Sequence, residues 1–261
     1  MEGTPFVAFD EVSVEYGSGA ARVRALERAS LQFGQGDFVC IVGPSGCGKT
    51  TLLQTLAGFL KPTTGSVRMQ GRPIDGPGPE RGVVFQQPNL FPWMTVAGNA
   101  GFGPMVRGAP RADRQARVER LLRLTGLLEF RDRYPYQLSG GMQQRLAIVR
   151  ALANEPKVLL MDEPFGALDA LTREKMQEEL HEIWRRRAMT VLFITHSVEE
   201  AVYLGTDVVV MSPRPGRIVE HLPMPFARQA RDRDSRAIKS DAAFVAMRER
   251  VLSLIWQSAE G

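Results

Sequence analysis

Residues 37–53 read DFVCIVGPSGCGKTTLL. The apolar run Phe38 to Val42 is short and nearly unbroken, the pattern of a strand buried on both faces rather than one. It ends in a glycine-rich loop that runs into a helix. Gly43, Gly48, Lys49 and Thr50 fit the spacing G-x-x-x-x-G-K-[ST], and the match sits where its mechanism requires, after a buried strand and before a helix. Across Gly43, Pro44, Ser45, Gly46, Cys47 and Gly48 the small residues let backbone N–H groups converge on a phosphate. The helix start adds partial positive charge and Lys49 a full one. The Thr50 hydroxyl is then placed to ligate Mg²⁺, and Thr51 to reach an α-phosphate. The loop predicts a nucleoside triphosphate without saying which class of protein uses it.

Outward from this loop, FVAFDEVSVEY (6–16) and VRALERASLQF (23–33) alternate in character and predict antiparallel strands. TTGSVRMQGRPI (63–74) predicts a hairpin and GVVFQQ (82–87) a further strand. From about 88 to 152 helical patterns dominate. Buried strands return in KVLLMDEP (157–164), TVLFITH (190–196) and DVVVMS (207–212), with the charged helix TREKMQEELHEIWRRR between the first two. Strands alternating with helices on this spacing predict a mostly parallel α/β sheet. The expected fold is an α/β P-loop core with an antiparallel β portion at the N-terminus and an inserted helical subdomain. Its core would cover about 5–87 and 155–220, the helical part about 88–154 and a tail about 221–261. On the last helix, Phe244, Met247, Val251, Leu254 and Ile255 share a face that a helix packing on its own domain would bury.

Two further groups of residues suit the same chemistry. Asp162 ends a buried strand, where the second acidic element of P-loop enzymes holds the metal. Glu163 follows it directly, a carboxylate in place to orient and deprotonate an attacking water. His196 ends another strand at the carboxyl edge of the sheet, where ligands of open α/β folds collect. Taken by itself it is as well explained by a structural role. In LSGGMQQRLAIVRALA (138–153), Ser139, Gly140 and Gly141 stand before a helical run, a generic anion site or an ordinary capped helix.

Composition excludes several classes. The chain has 261 residues, enough for a full core, and a net charge of +4 spread over scattered arginines, which argues against nucleic acid as a partner. Two cysteines, Cys40 and Cys47, are too few for a disulfide framework and point to a reducing compartment. No apolar run approaches the roughly 18 residues of a membrane span, and the first residues lack the pattern of a signal peptide.

Together these motifs resemble the ATP-binding subunits of ABC transporters. LSGGMQQR is similar to that family's signature motif, GPSGCGKTT to its phosphate loop and LLMDEP to its second nucleotide motif. GALD (166–169) is similar to its D-loop, ITH to its switch-histidine strand and VVFQ to its Q-loop. The order is the family's, and the likeness runs from about Val7 to Arg217. The resemblance implies ATP hydrolysis with Mg²⁺. Lys49, Ser45, Thr50 and Thr51 would surround the phosphates, Gln86 and Asp162 the metal, and Glu163 would be the base. His196 would hold the γ-phosphate, Tyr16 would stack on adenine and Asp169 would act at a dimer interface. It also implies a head-to-tail homodimer in which each ATP lies between one phosphate loop and the other chain's Ser139, Gly140 and Gly141. The partners implied are separate membrane permease subunits and an extracytoplasmic solute-binding protein, with this chain peripheral on the cytoplasmic face of the inner membrane.

VVFQQPNLFPWMTVAGN (83–99) and the wording around DEPFGALDALTREKMQEELHEIW resemble importers of the nitrate, sulfonate and taurine group. SVEEA after His196 favours an importer over an exporter. Importers of another small solute, or a soluble ATPase of the same family, remain as alternatives. Phe91, Pro92 and Trp93 divide evenly between internal packing and a permease-facing role.

Overall fold

The computed structural model describes residues 5–166, 168–187, 189–229 and 234–260, and these form two compact units. The first comprises residues up to Gly78 and from Trp184 onward, and the second runs from Pro79 to Ile183.

The first unit begins with strand β1 (Val7–Tyr16), which pairs antiparallel with β2 (Val23–Phe33). Strand β3 (Phe38–Val42) follows, then helix α1 (Lys49–Ala57), and β4 (Thr64–Met69) and β5 (Arg72–Pro73) complete a sheet in the order β2-β1-β4-β5. The expected hairpin is β4 and β5. Every residue of β3 is buried, as its unbroken apolar run demands. Each such Val, Ile or Phe contributes on the order of 1.5–3 kcal/mol from burial.

The second unit opens with β6 (Arg81–Val84) and continues through α2 (Val96–Val106), α3 (Arg111–Leu124) and α4 (Gly140–Leu152). Strand β7 (Val158–Asp162) pairs parallel with β6, and α5 (Ala170–Arg187) follows it. Thr95 caps α2 by accepting from the N–H of Gly98 at 3.1 Å. The buried Asn99 organises the preceding loop, accepting from the Phe91 N–H at 2.8 Å and donating to the carbonyls of Phe91, Met94 and Thr95. Phe91 is half-buried, 4.6 Å from the Phe102 ring and beneath the Arg150 guanidinium, whereas Trp93 is 69% exposed. Phe91 is thus packed inside, and the Trp93 ring lies 5.6 Å from it with most of its surface exposed.

The chain returns to the first unit with β8 (Thr190–Ile194), α6 (Val198–Leu204), β9 (Asp207–Met211) and β10 (Ile218–Pro223). Strand β3 lies between β8 and β9, parallel to both, and β10 runs antiparallel on β9. Trp184, at the end of α5, donates its indole N–H to the Gly36 carbonyl at 3.0 Å and meets Phe38 edge-on at 5.8 Å. Short helices α7 (Phe226–Gln229) and α8 (Ser235–Lys239) lead to α9 (Ala242–Glu260). Phe244 and Val251 of α9 are fully buried, Phe244 edge-on to Phe226 at 5.1 Å, so the helix packs on its own unit. No helix among the described residues is long and apolar enough to cross a membrane.

Candidate nucleotide site

The candidate residues fall into two sets, one in each unit. In the first unit the fully buried β3 ends at Val42, and Gly43 to Gly48 form the loop that leads into α1. Gly48 occupies the N-cap of α1 with φ 98°, a left-handed conformation that glycine adopts without steric cost. A Cβ there would also lie 2.6 Å from Leu26 Cδ2 and 2.9 Å from the Ala25 carbonyl. Both backbone angle and space therefore require glycine. Lys49 is 5% exposed, and its Nζ donates to the carbonyls of Gly43 at 2.8 Å and Pro44 at 2.9 Å, with Cys47 Sγ at 3.8 Å. An ammonium held by its own loop's carbonyls both shapes the loop and keeps a full positive charge inside it. Burial pushes the Cys47 thiol up, and Lys49 partly offsets this.

Ser45 and Gly46 of the loop and Thr50 in the first turn of α1 are exposed, while Pro44 is half-buried. Thr51 is buried, and its hydroxyl lies 3.2 Å from that of Tyr16, a residue 42% exposed at the end of β1. This contact joins the predicted adenine platform to the first turn of α1.

Strand register places the histidine. Ile194 of β8 is level with Ile41 of β3 and the Thr195 N–H donates to the Ile41 carbonyl at 3.3 Å, so His196 and Gly43 each follow their strand at the same parallel-strand edge. It is exposed, in the turn between β8 and α6.

Two residues of this region escaped the sequence reading. Gly216 backs the phosphate loop so closely that a Cβ there would lie 1.8 Å from the Cys47 carbonyl, and its own N–H donates to the Ala25 carbonyl at 2.9 Å. Arg214 Nη2 stands over Gly46, 3.6 Å from where a Cβ would be. The turn-forming stretch SPRPGR was the only signal, and it names no partner.

In the second unit, Asp162 ends β7 half-buried, and Glu163 follows with φ 47°. A positive φ is uncommon for a non-glycine residue, and strained backbone of this kind clusters at functional sites. Gln86, exposed just beyond β6, donates its Nε2 to Glu163 Oε2 at 3.4 Å. Asp169 caps the start of α5, accepting from the Thr172 N–H at 3.0 Å. Hydrogen bonds from the Thr172 side chain and backbone hold its carboxyl below the usual range. Ala167 of the GALD motif lies outside the described residues.

Ser139 is the N-cap of α4 and accepts from the Met142 N–H at 3.4 Å; Ser139 and Gly140 are exposed and Gly141 is half-buried. A Cβ on Gly141 would meet Thr172 Cγ2 at 2.9 Å, so the signature turn and the Asp169 turn are in close approach. Gln144 of α4 donates to the Phe85 carbonyl at 3.4 Å, and Arg150 to the carbonyls of Pro88 at 2.8 Å and Asn89 at 2.6 Å. The second unit thus brings together Gln86 with Glu163, and Gly141 with the first turn of α5. Chemically, the two sets supply an anion cradle with a fixed cation, an outward helix start, and a carboxylate able to take a proton.

The model of the family described as ABC transporter matches residues 26–166. The taurine import ATP-binding protein of Chromobacterium violaceum is 54% identical over 245 residues, covering 94% of this chain and 93% of that one. That of Jannaschia sp. is 50% identical over 238 residues, covering 91% and 89%, and that of Pseudomonas putida 47% over 252, covering 96% and 95%. Among solved structures, the ATP-binding cassette MJ0796, in a dimeric post-hydrolysis state bound to ADP and Pi, is 32% identical with a TM-score of 0.73. It covers 84% of this chain and 98% of that one. The cbiO1 protein of Clostridium perfringens, part of an ABC transporter complex, is 26% identical with a TM-score of 0.77, covering 92% and 97%. The chain belongs to the ABC transporter family, as one of its ATP-binding and ATP-hydrolysing cassettes.

Proposed function

We propose that the chain is the ATPase subunit of an importer for small sulfonates of the taurine type. The observation that carries the solute class is the 47–54% identity to taurine import ATP-binding proteins over 91–96% of the chain. In this reading the cradle formed by Gly43 to Gly48 and Lys49 takes the β- and γ-phosphates, Tyr16 takes the adenine face, and Thr51 reaches the α-phosphate.

Glu163 accepts the proton as a water oxygen bonds to the γ-phosphorus and the bond to the ADP oxygen breaks. Gln86 steadies Glu163, and His196, at the same strand edge as Gly43, donates to the γ-phosphate. Thr50, Gln86 and Asp162 offer only hydroxyl, amide and carboxylate oxygens to a metal, the hard donors that suit Mg²⁺. When bound there, Mg²⁺ supplies neutralisation of phosphate charge.

The exposed start of α4 supports a shared site. Ser139, Gly140 and Gly141 of one copy, with Asp169 beside them, complete the γ-phosphate contacts of a second copy arranged head to tail. ATP then favours the closed pair because its γ-phosphate gains these donors only there, and hydrolysis removes the preference. That cycle drives a separate membrane permease fed by an extracytoplasmic solute-binding protein, with this chain peripheral on the cytoplasmic face of the inner membrane.

Growth of a deletion strain on taurine as sole sulfur source, together with purification of the tagged chain from membranes, tests the reading. Loss of growth restored by the intact chain, and recovery of a permease, are the expected results. Normal growth on taurine with loss on a different single solute would overturn the solute class. Recovery of ribosomes or DNA in place of a permease would overturn the importer.

A further inference from the structure

The turn that carries His196 is closed by a ring of three hydrogen bonds centred on Glu200. Thr195 donates its hydroxyl to Glu200 Oε2, the Ser197 N–H donates to the Thr195 hydroxyl at 3.0 Å, and the Glu200 N–H donates to the Ser197 hydroxyl at 3.2 Å. His196 lies between the first two members. Thr195 is also tied to β3 through its N–H, which donates to the Ile41 carbonyl at 3.3 Å.

Glu200 and Thr195 are each 4% exposed, whereas His196 is exposed. Ser197 already caps α6, so capping alone does not require the Glu200 carboxyl to be inside, where a polar group costs free energy unless it is hydrogen-bonded. An acceptor-only carboxylate fixes the direction of the single Thr195 hydroxyl proton and leaves the lone pairs of that oxygen for the Ser197 N–H. These bonds tie down the backbone on both sides of His196. The carboxylate also sits close enough to β3 that, after burial itself, its charge is the next cause pushing the Cys40 thiol up.

We infer that Glu200 is a positioning residue for His196, holding through Thr195 the turn that aims the imidazole at the edge beside Gly43. This inference rests on the reading of His196 as a γ-phosphate contact. It asks of Glu200 an acceptor oxygen at the Thr195 hydroxyl, and glutamine also provides one.

The test uses the full chain with ATP and Mg²⁺, measuring kcat, KM and affinity for a non-hydrolysable ATP analogue. Glu200→Ala is expected to lower kcat by about 10- to 100-fold, with KM and analogue affinity within about twofold, while Glu200→Gln stays within about threefold of the parent. In a His196→Ala background, Glu200→Ala is expected to add no further loss, because the two act as one unit. Thr195→Val, which removes the hydroxyl that donates to Glu200 and accepts from the Ser197 N–H, is expected to lower kcat as Glu200→Ala does, and it keeps the test decisive if the alanine variant fails to fold. A further loss from Glu200→Ala or Thr195→Val on top of His196→Ala would overturn the inference, as would a glutamine variant as slow as the alanine one. A His196→Ala protein that turns over at the parental rate would instead overturn the reading of His196, and the inference with it.

Discussion

Gln86 donates its amide to Glu163 across 3.4 Å, joining the end of β6 to the carboxylate that follows β7. The bond is long, and Glu163 is held at φ 47° by the chain around it. Glu163→Gln preserves the size of the side chain and removes its capacity to take a proton. Turnover is expected to fall by about 10²- to 10⁴-fold. Binding of ATP should persist and a dimer should accumulate. Size-exclusion chromatography with ATP and Mg²⁺ checks this, and a variant that stays monomeric counts against a shared site.

Lys49→Ala removes the cation and the bonds from Nζ to the Gly43 and Pro44 carbonyls. Hydrogen bonds to charged groups contribute about 1.5–3 kcal/mol, so analogue affinity is expected to fall by roughly 10- to 100-fold. Titration with a fluorescent ATP analogue measures it. Unchanged affinity would show that the nucleotide lies elsewhere.

Ser139→Ala exposes the difference between binding in one chain and completion by another. The hydroxyl caps α4 through the Met142 N–H and faces solvent, so its loss costs on the order of 1 kcal/mol of stability. Nucleotide affinity of the isolated monomer is expected to be unchanged, and ATP-dependent dimerisation of the E163Q background to be weakened. Analytical ultracentrifugation separates the two quantities.

Gly48→Ala forces a side chain into a left-handed position 2.6 Å from Leu26 Cδ2. Backbone strain and overpacking together are expected to cost about 2–4 kcal/mol, lowering Tm by roughly 5 °C or more. Calorimetry gives the loss directly. A parental Tm would mean that the loop relaxes at no cost.

The His221–Asp207 pair makes stability depend on pH in a direction that can be stated. Asp207 is pushed up by burial, but hydrogen bonds from His221 and Thr206 outweigh this and leave its carboxyl below the ordinary 3.8. The bond to Asp207 raises His221 above 6.5 despite partial burial. The histidine's share is therefore whole below 6.5 and lost as pH rises through its raised value. The aspartate's share is whole above 3.8 and lost as pH falls through its lowered value. With His221 37% exposed, the pair is worth little. His221→Ala is expected to lower Tm by up to about 2–4 °C at pH 5.5 and less at pH 9. An equal loss at both values would refute the assignment.

The phosphate loop and the buried strands could be read from the chain because their chemistry is local: glycines beside a lysine at fixed spacing, and apolar runs bounded by turns. The acidic pair and the signature turn were legible by their place in an order of motifs. Residues whose role is set by distant partners were not. Gly216 is one glycine among several until the Cys47 carbonyl is seen against it. Arg150 reads as an ordinary helix residue, yet it reaches carbonyls about sixty positions earlier and lies over Phe91. The positive φ of Glu163 and the edge strand β10 also depend on tertiary surroundings, which a short local pattern does not carry.

The pairing of Ile41 with Ile194 makes the two strands a ruler. Deleting one residue from β8 would shift the residues after it by about 3.3 Å relative to β3 and turn the strand's later side chains to the opposite face. An insertion between α5 and β8 would leave that spacing untouched. Tolerance to insertions and deletions should therefore drop to nothing inside β3 and β8 while remaining high ahead of β8, a contrast set by backbone pairing rather than by any side chain.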